Sequence, residues 1–251
     1  TKIDRIAQVL VNIGGWESIP LVGLCEVENA RCLRHLCYRM RCFNYRYLHY
    51  DSPDERGVDV ALLYDSTRIT ILQNRAIPLM LDNDRTRDIL YVSALYEQRD
   101  TVHVMMCHLP SQLGGASNTD WKRQRAKSLI QSQIDSIFLF QPSANIVVMG
   151  DMNTSAQDDL TGMVNLMIPI QKMGKGTHKY QGIWTCLDQF YVSHSIFPQS
   201  TAMIFSPQWL LEEDTKYLDY KPHRTYIGFR YNDGYSDHLP IVLHLRLDNK
   251  E

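Results

Sequence analysis

No run of the chain comes near the 18 consecutive apolar residues that a membrane-spanning helix needs, so no membrane span is expected. Neither sign of charge dominates: 26 Lys and Arg stand against 28 Asp and Glu, a formal net charge of −2. That balance excludes a protein that coats duplex nucleic acid non-specifically, because such proteins carry a basic surplus. It leaves room for an enzyme with a local basic pocket. Internal repeats and low-complexity tracts are absent, and no linker divides residues 1–251, so a single domain is expected. The six cysteines form no CxxC pair, and evenly spaced Cys32, Cys37 and Cys42 have no His cluster beside them. Free or buried thiols are therefore expected rather than a zinc site or disulfide framework, and reduced thiols lean toward the cytoplasm. The chain opens Thr1-Lys2-Ile3-Asp4-Arg5, without an initiator Met or a signal-peptide pattern.

What is present is a core-forming composition, 44% hydrophobic, arranged in short apolar runs. Ile3, Ile6, Ala7, Leu10 and Ile13 recur at helical spacing and stop at Gly14-Gly15. Leu21–Cys25 reads as a buried strand that delivers Glu26, and Asn29 as the cap of a second helix carrying Leu33, Leu36, Cys37 and Met40. Strands are expected over 43–50, 59–64, 69–72, 89–95, 102–109, 145–149, 187–192 and 241–247. Residues 121–140 form the clearest amphipathic helix. The stretch 160–184 resembles long surface loops. Many strands with few helices and no βαβ alternation suggest two packed sheets with helices outside.

The polar residues at the ends of these runs carry the chemistry. Glu26 follows LVGLC, His108 follows HVMMC, and Asp151 and Asn153 follow NIVVMG. Asp188 opens an apolar strand and Asp237-His238 precedes PIVLHL. Any one Asp at a strand end is usually a turn residue, so the order of the whole set is what matters. Carboxylates converging from several strand ends can hold a hard cation, Mg²⁺ or Mn²⁺. Two histidines beside them can handle protons near neutral pH. Cleavage of a phosphate ester needs that inventory of Lewis acid, water activator and donors for developing charge.

Taken together, LCEVEN, HLPSQLGG, VVMGDMN, LDQFYVS and YSDHLPI resemble the motifs of the endonuclease/exonuclease/phosphatase superfamily, bacterial members included. GVDVALLY and Thr86-Arg87-Asp88 fall where that family has a strand pair. The resemblance implies an α/β (α+β) fold, a four-layer α/β/β/α sandwich of two mixed sheets flanked by helices, like that of pancreatic deoxyribonuclease. It implies that Glu26 binds a catalytic Mg²⁺ or Mn²⁺, with Asp237 as a further ligand. Asp151 would activate the attacking water and Asn153 would hold the phosphoryl group. His238, oriented by Asp188, would contact the scissile phosphate. His108 would serve as acid or phosphate donor, with Asp59 as its partner, and Arg87 could supply a phosphate fork.

The family's usual opening strand, with an Asn in an NxEN segment, has no counterpart before Lys2-Ile3-Asp4-Arg5. The chain is therefore expected to lack that first strand, most simply by truncation. The implied function is a metal-dependent, nuclease-like phosphodiesterase, expected to be a monomer acting on a phosphoester such as nucleic acid. A phosphatase or a phospholipid or inositol head-group phosphodiesterase is the second reading. A catalytically impaired binding protein on the same scaffold is the third. Lys172, Lys175, Lys179, Tyr180 and Trp184, and then Lys221, His223, Arg224, Tyr226 and Arg230, are two basic and aromatic stretches suited to a substrate loop or to a solvated surface.

Overall fold

The computed structural model describes residues 1–81, 85–112 and 115–247; Leu113 and Gly114 of the His108 segment and residues 248–251 lie outside the described residues. The N-terminal part comprises α1 (Lys2–Gly14), β1 (Leu21–Val27), α2 (Ala30–Arg39), β2 (Tyr45–His49) and β3 (Asp59–Asp65). The middle comprises β4 (Ile69–Ile77), β5 (Ile89–Tyr96), β6 (Asp100–His108), α3 (Ala116–Phe140) and β7 (Asn145–Asp151). Then come β8 (Met163–Asn165), α4 (Ile168–Lys172), β9 (His178–Tyr180), β10 (Ile183–Thr185) and β11 (Asp188–Ser193). The chain closes with β12 (Ser200–Ile204), β13 (Leu211–Asp214), β14 (Asp219–Pro222), β15 (Tyr226–Ile227), β16 (Arg230–Tyr231) and β17 (Ile241–Leu245).

Local chemistry sets the helix starts. The Thr1 hydroxyl accepts the Asp4 N–H and the Asp4 carboxylate accepts the Thr1 amino group, a capping box for α1. Asn29 Oδ1 accepts the N–H groups of Arg31 and Cys32 at 3.0 and 3.2 Å, as a cap for α2.

The large sheet runs β4-β5-β6-β7-β11-β8, with β6 and β7 parallel and the other neighbours antiparallel. β7 is buried from Ile146 to Asp151, as its continuous apolar run requires of a strand covered on both faces. One face packs Tyr91, Met105, Cys107, Val148 and Tyr191 against Ala126, Ile130 and Ile134 of α3. The other face packs Val92, Val104, Met106, Val147 and Met149 against Val60 and Leu62 of β3 and Ile204, Ile241 and Leu243 of the β12–β17 ribbon. Alternate residues of β3, Ala61 and Leu63, turn the opposite way and meet Ala7 and Leu10 of α1 and Leu33 and Leu36 of α2. Helices, small sheet, large sheet and helix thus pack in that order.

Three expectations change. Only the large sheet is mixed: the other layer is an antiparallel β1-β3-β2 sheet plus the separate ribbon. The GVDVALLY strand and the strand after Asp88 are not a pair, because β3 lies in the small sheet and β5 in the large one. Residues 160–184 contain β8, α4, β9 and β10 rather than plain loop. These are elements of three to five residues, too short to register as periodicity. All six cysteines are free thiols, and no helix among the described residues is long and apolar enough to cross a membrane.

Candidate active site

The ladder register builds the site. Parallel pairing sets His108 opposite Asp151, and antiparallel pairing sets Asp188 opposite the same Asp151. Residues opposite each other in a sheet point to one face, so three polar side chains from three strands converge at the sheet's end. Gly150 makes the close approach possible. Its φ is +130°, and a Cβ there would lie 1.9 Å from the Cys107 carbonyl oxygen. The turn after Asp151 is held by its own carboxylate, whose Oδ1 accepts the Asn153 N–H at 2.8 Å with Asn153 in the left-handed region at φ 51°. Leu109 joins the two strand ends. Its N–H donates to the Asp151 carbonyl (2.8 Å) and its carbonyl accepts from Asn153 Nδ2 (2.9 Å).

The electrostatics divide these groups into two kinds. His238 Nδ1 lies 2.7 Å from Asp188 Oδ2. Burial opposes charge on both, yet their attraction wins: His238 is pushed up to about 10, and Asp188 stays below the usual carboxylate range. They form an imidazolium–carboxylate pair. His108 and Asp151 behave differently, although Nε2 and Oδ2 lie only 3.4 Å apart. Burial, with Arg87 and Arg56 nearby, drives His108 down to about 3. Burial and the neighbouring Asp188 charge raise Asp151 to about 7. The contact is therefore not an ion pair; His108 is neutral, and Asp151 exchanges its proton near neutral pH. His108 Nδ1 is buried without a hydrogen-bond partner among the described residues.

Glu26 lies at a register irregularity between Leu24 and Val27, also in the left-handed region (φ 58°). A non-glycine residue held there is strained, a cost that clusters at functional positions. Its side chain is half exposed and lies 3.7 Å from Arg56. Among the described residues no group of three or more potential ligands includes Glu26; Asp237 groups instead with His178 and His238, their ligand atoms within 4.8 Å of one another. Two accessible carboxylates still suit Mg²⁺, which keeps most of its waters and takes one or two protein carboxylates.

Asp59 and Arg87 depart from expectation. Asp59 does not pair with His108. Its Oδ2 lies 3.1 Å from His49 Nε2, and its Oδ1 accepts the Ser52 N–H (2.9 Å) and hydroxyl. Arg87 is buried and offers no open fork: it donates to the carbonyls of His108 (3.1 Å) and Leu109 (3.2 Å) and to Asp54 Oδ2 (2.9 Å). It positions the strand end that carries His108. Arg87→Ala is expected to destabilise the fold by roughly 3 kcal/mol, because it removes the buried partner of Asp54 Oδ2 and leaves the carbonyls of His108 and Leu109 without their donor. A denaturant midpoint equal to wild type, with only KM raised, would restore the phosphate role.

Two neighbours escaped sequence reading. His178 bridges to His238 through the backbone, with ring centroids 4.8 Å apart. It ends no apolar run, so nothing in its context marked it. Arg56 lies 3.7 Å from both Glu26 and Asp54; a turn residue in DERG gives no pattern. Of the two basic stretches, Lys179 is buried against Asp214 (3.5 Å) and Asp219 (3.0 Å) and ties hairpins together. Lys172, Lys175, Tyr180, Tyr226 and Arg230 are exposed.

A buried carboxyl raised toward neutrality by burial and the Asp188 charge, beside an imidazolium that the accessible Asp237 adjoins, is the equipment of a hydrolase acting on an anionic ester. The sequence matches the Endonuclease/Exonuclease/phosphatase family over residues 1–247, and the chain belongs to that family. Its members are phosphoric ester hydrolases that depend on divalent metal. Among solved structures the fold is similar to truncated Caenorhabditis elegans TDP2, with a TM-score of 0.69 and 14% identity over 97% of this chain and 90% of that one. An endonuclease/exonuclease/phosphatase protein from Bacteroides vulgatus gives a TM-score of 0.66 and 16% identity, over 98% and 90%. The Bacteroides thetaiotaomicron mannosyl-6-phosphatase Bt3783 gives 0.64 and 12%, over 98% and 91%. No curated protein sequence matches the chain.

Proposed function

We propose that the protein is a nuclease-like phosphodiesterase, dependent on Mg²⁺ or Mn²⁺, in which Asp151 is the general base. The observation that carries this reading is the register that flanks Asp151 with His108 and Asp188. Asp151, raised to about 7, takes a proton from the attacking water at neutral pH. The water attacks in line as the bond from phosphorus to the leaving oxygen breaks, charge grows on the phosphoryl oxygens, and the departing oxygen takes its proton from solvent. His238, cationic through Asp188, donates to one of those oxygens. Leu109 uses one amide hydrogen of Asn153, and the other is available to the phosphoryl group. Neutral His108 acts as a hydrogen-bond donor rather than an acid, since its proton affinity is too low for proton transfer near pH 7. Glu26 and Asp237 hold the cation, which when bound neutralises charge on the ester and lowers the barrier to an anionic nucleophile. The exposed Tyr180, Tyr226 and Arg230 support a substrate with faces to stack on and phosphates to pair with, as single-stranded nucleic acid has.

Plasmid DNA, single-stranded DNA and a bis-aryl phosphodiester, each with Mg²⁺ or Mn²⁺, test the proposal. Turnover is expected to rise at least about 100-fold on adding metal and to vanish with EDTA. Glu26→Gln should shift the Mg²⁺ dependence to higher concentration. Absence of metal-stimulated turnover on any phosphoester refutes the enzyme reading. Hydrolysis of monoesters tenfold faster than diesters moves the assignment to a phosphatase.

A further inference from the structure

One edge of the site holds a donor set chemically distinct from Glu26. His178, Asp237 and His238 each present one ligand atom, and the three lie within 4.8 Å of one another. Backbone hydrogen bonds hold the group. His178 bridges antiparallel to His238, and the Leu239 N–H donates to the Thr177 carbonyl at 2.8 Å. Fully buried Thr177 in turn accepts the N–H groups of Leu187 and Asp188 on its hydroxyl, at 3.2 Å each. Two nearby segments, Thr177–His178 and Leu187–Asp188, and the distant His238–Leu239 are thereby stitched around the two imidazoles.

Two imidazoles and one carboxylate are what borderline-soft transition ions select, whereas Mg²⁺ prefers oxygen ligands throughout. The 2.7 Å contact of His238 Nδ1 with Asp188 leaves Nε2 as the ligating nitrogen. A carboxylate on the far nitrogen is also the arrangement that orients a metal-bound His. Three protein ligands leave a fourth tetrahedral position for water.

We propose that His178, Asp237 and His238 bind Zn²⁺ or a similar transition ion and that this ion inhibits the enzyme. The inhibitory half rests on the reading of His238 as a phosphate donor. Binding releases the Nε2 proton of His238 to solvent, so the cation takes the place of the hydrogen given to phosphate and draws Asp237 away from the Mg²⁺ site. Such inhibition couples turnover to the free transition-metal level without any conformational change.

The test has two independent readouts on the full chain in saturating Mg²⁺. In the first, Co²⁺ is titrated as a spectroscopic probe and Zn²⁺ by calorimetry. One equivalent is expected, with the intense visible bands of tetrahedral Co²⁺, displaced by Zn²⁺. His178→Ala and Asp237→Asn should each weaken Zn²⁺ at least about tenfold, whereas Glu26→Gln should not. In the second, bis-aryl phosphodiester turnover is measured with and without Zn²⁺, each variant normalised to its own zinc-free rate. Wild type should lose at least tenfold, and His178→Ala should need at least tenfold more zinc for the same loss. Circular dichroism checks folding, and His178→Gln replaces the alanine variant if that one fails to fold. Absence of stoichiometric binding, or an affinity indifferent to both His178 and Asp237 variants, overturns the site. Activation by zinc overturns the inhibitory role. If wild type shows no Mg²⁺-dependent turnover, the phosphodiesterase reading and the inhibitory role fall together, while the Co²⁺ titration still decides whether the ion binds.

Discussion

Asp151→Asn is expected to lower kcat by about 10³-fold while leaving the protein folded. Asn is isosteric, and its side-chain oxygen can still accept the Asn153 N–H that the Oδ1 of Asp151 accepts at 2.8 Å. The loop geometry survives, and only the proton acceptor is lost. Stability should respond in the opposite sense. Burial and the Asp188 charge raise Asp151 from 3.8 to about 7. A carboxyl whose folded value is raised favours the folded state below 3.8 and loses that contribution as pH rises through about 7. The Asn variant lacks this loss, so its melting temperature relative to wild type should climb between pH 5 and pH 8. A variant that loses activity and gains stability marks a position held against its own preference. A kcat within tenfold of wild type would remove Asp151 from the role of base.

His238→Ala is expected to lower kcat/KM by roughly 10²- to 10³-fold, the usual effect of removing a donor to developing charge. Asp188→Asn is the more discriminating variant, because it keeps the imidazole and removes the group that keeps it cationic. In wild type His238 stays protonated up to about 10, although burial alone would lower it. Without Asp188 the value returns toward an ordinary His near 6.5 or below, so at pH 8 only about 1 molecule in 30 carries the charge. Activity should then drop roughly 30-fold at pH 8 and far less at pH 6. A loss equal at both pH values would mean that Asp188 acts only through packing. The pair also contributes to stability. The His238 share is fully present below 6.5 and fades as pH rises through about 10. The Asp188 share is present above 3.8 and fades as pH falls below it. The Asn variant should therefore lie furthest below wild type in melting temperature between those limits.

Much of this was legible in the chain because strand ends announce themselves. NIVVMGDMN and HVMMCHL are apolar runs cut by polar residues, and both delivered their groups to one place. Asp188 and His238, 50 residues apart, met as the SDH and LDQF motifs implied. The partners that misled were set by tertiary geometry. Arg87 has the donors of a phosphate clamp, but the carbonyls of His108 and Leu109 use them. Asp59 sits at a strand start facing His49, which belongs to the neighbouring strand of its own sheet rather than to the sheet that carries His108. Lys179 belongs to a stretch that suits a substrate loop or a solvated surface, and it is neither, because the hairpin of β13 and β14 supplies two aspartates that bury it. A charged side chain's type is written in the sequence, but what it faces depends on which sheet its neighbours join.

The parallel β6–β7 ladder runs in unbroken register from Val102 opposite Asn145 to His108 opposite Asp151. That continuity makes the two strands a ruler whose graduations are single residues. Losing one residue anywhere in 102–107 would carry His108 one step along and turn it toward the layer of α3, because side chains alternate faces. No substitution at the new position could restore it. Apart from Gly150, His108 and Asp151, the ladder should therefore tolerate exchange of one apolar residue for another while rejecting a one-residue insertion or deletion, so at those other positions length rather than identity is the property these strands must conserve.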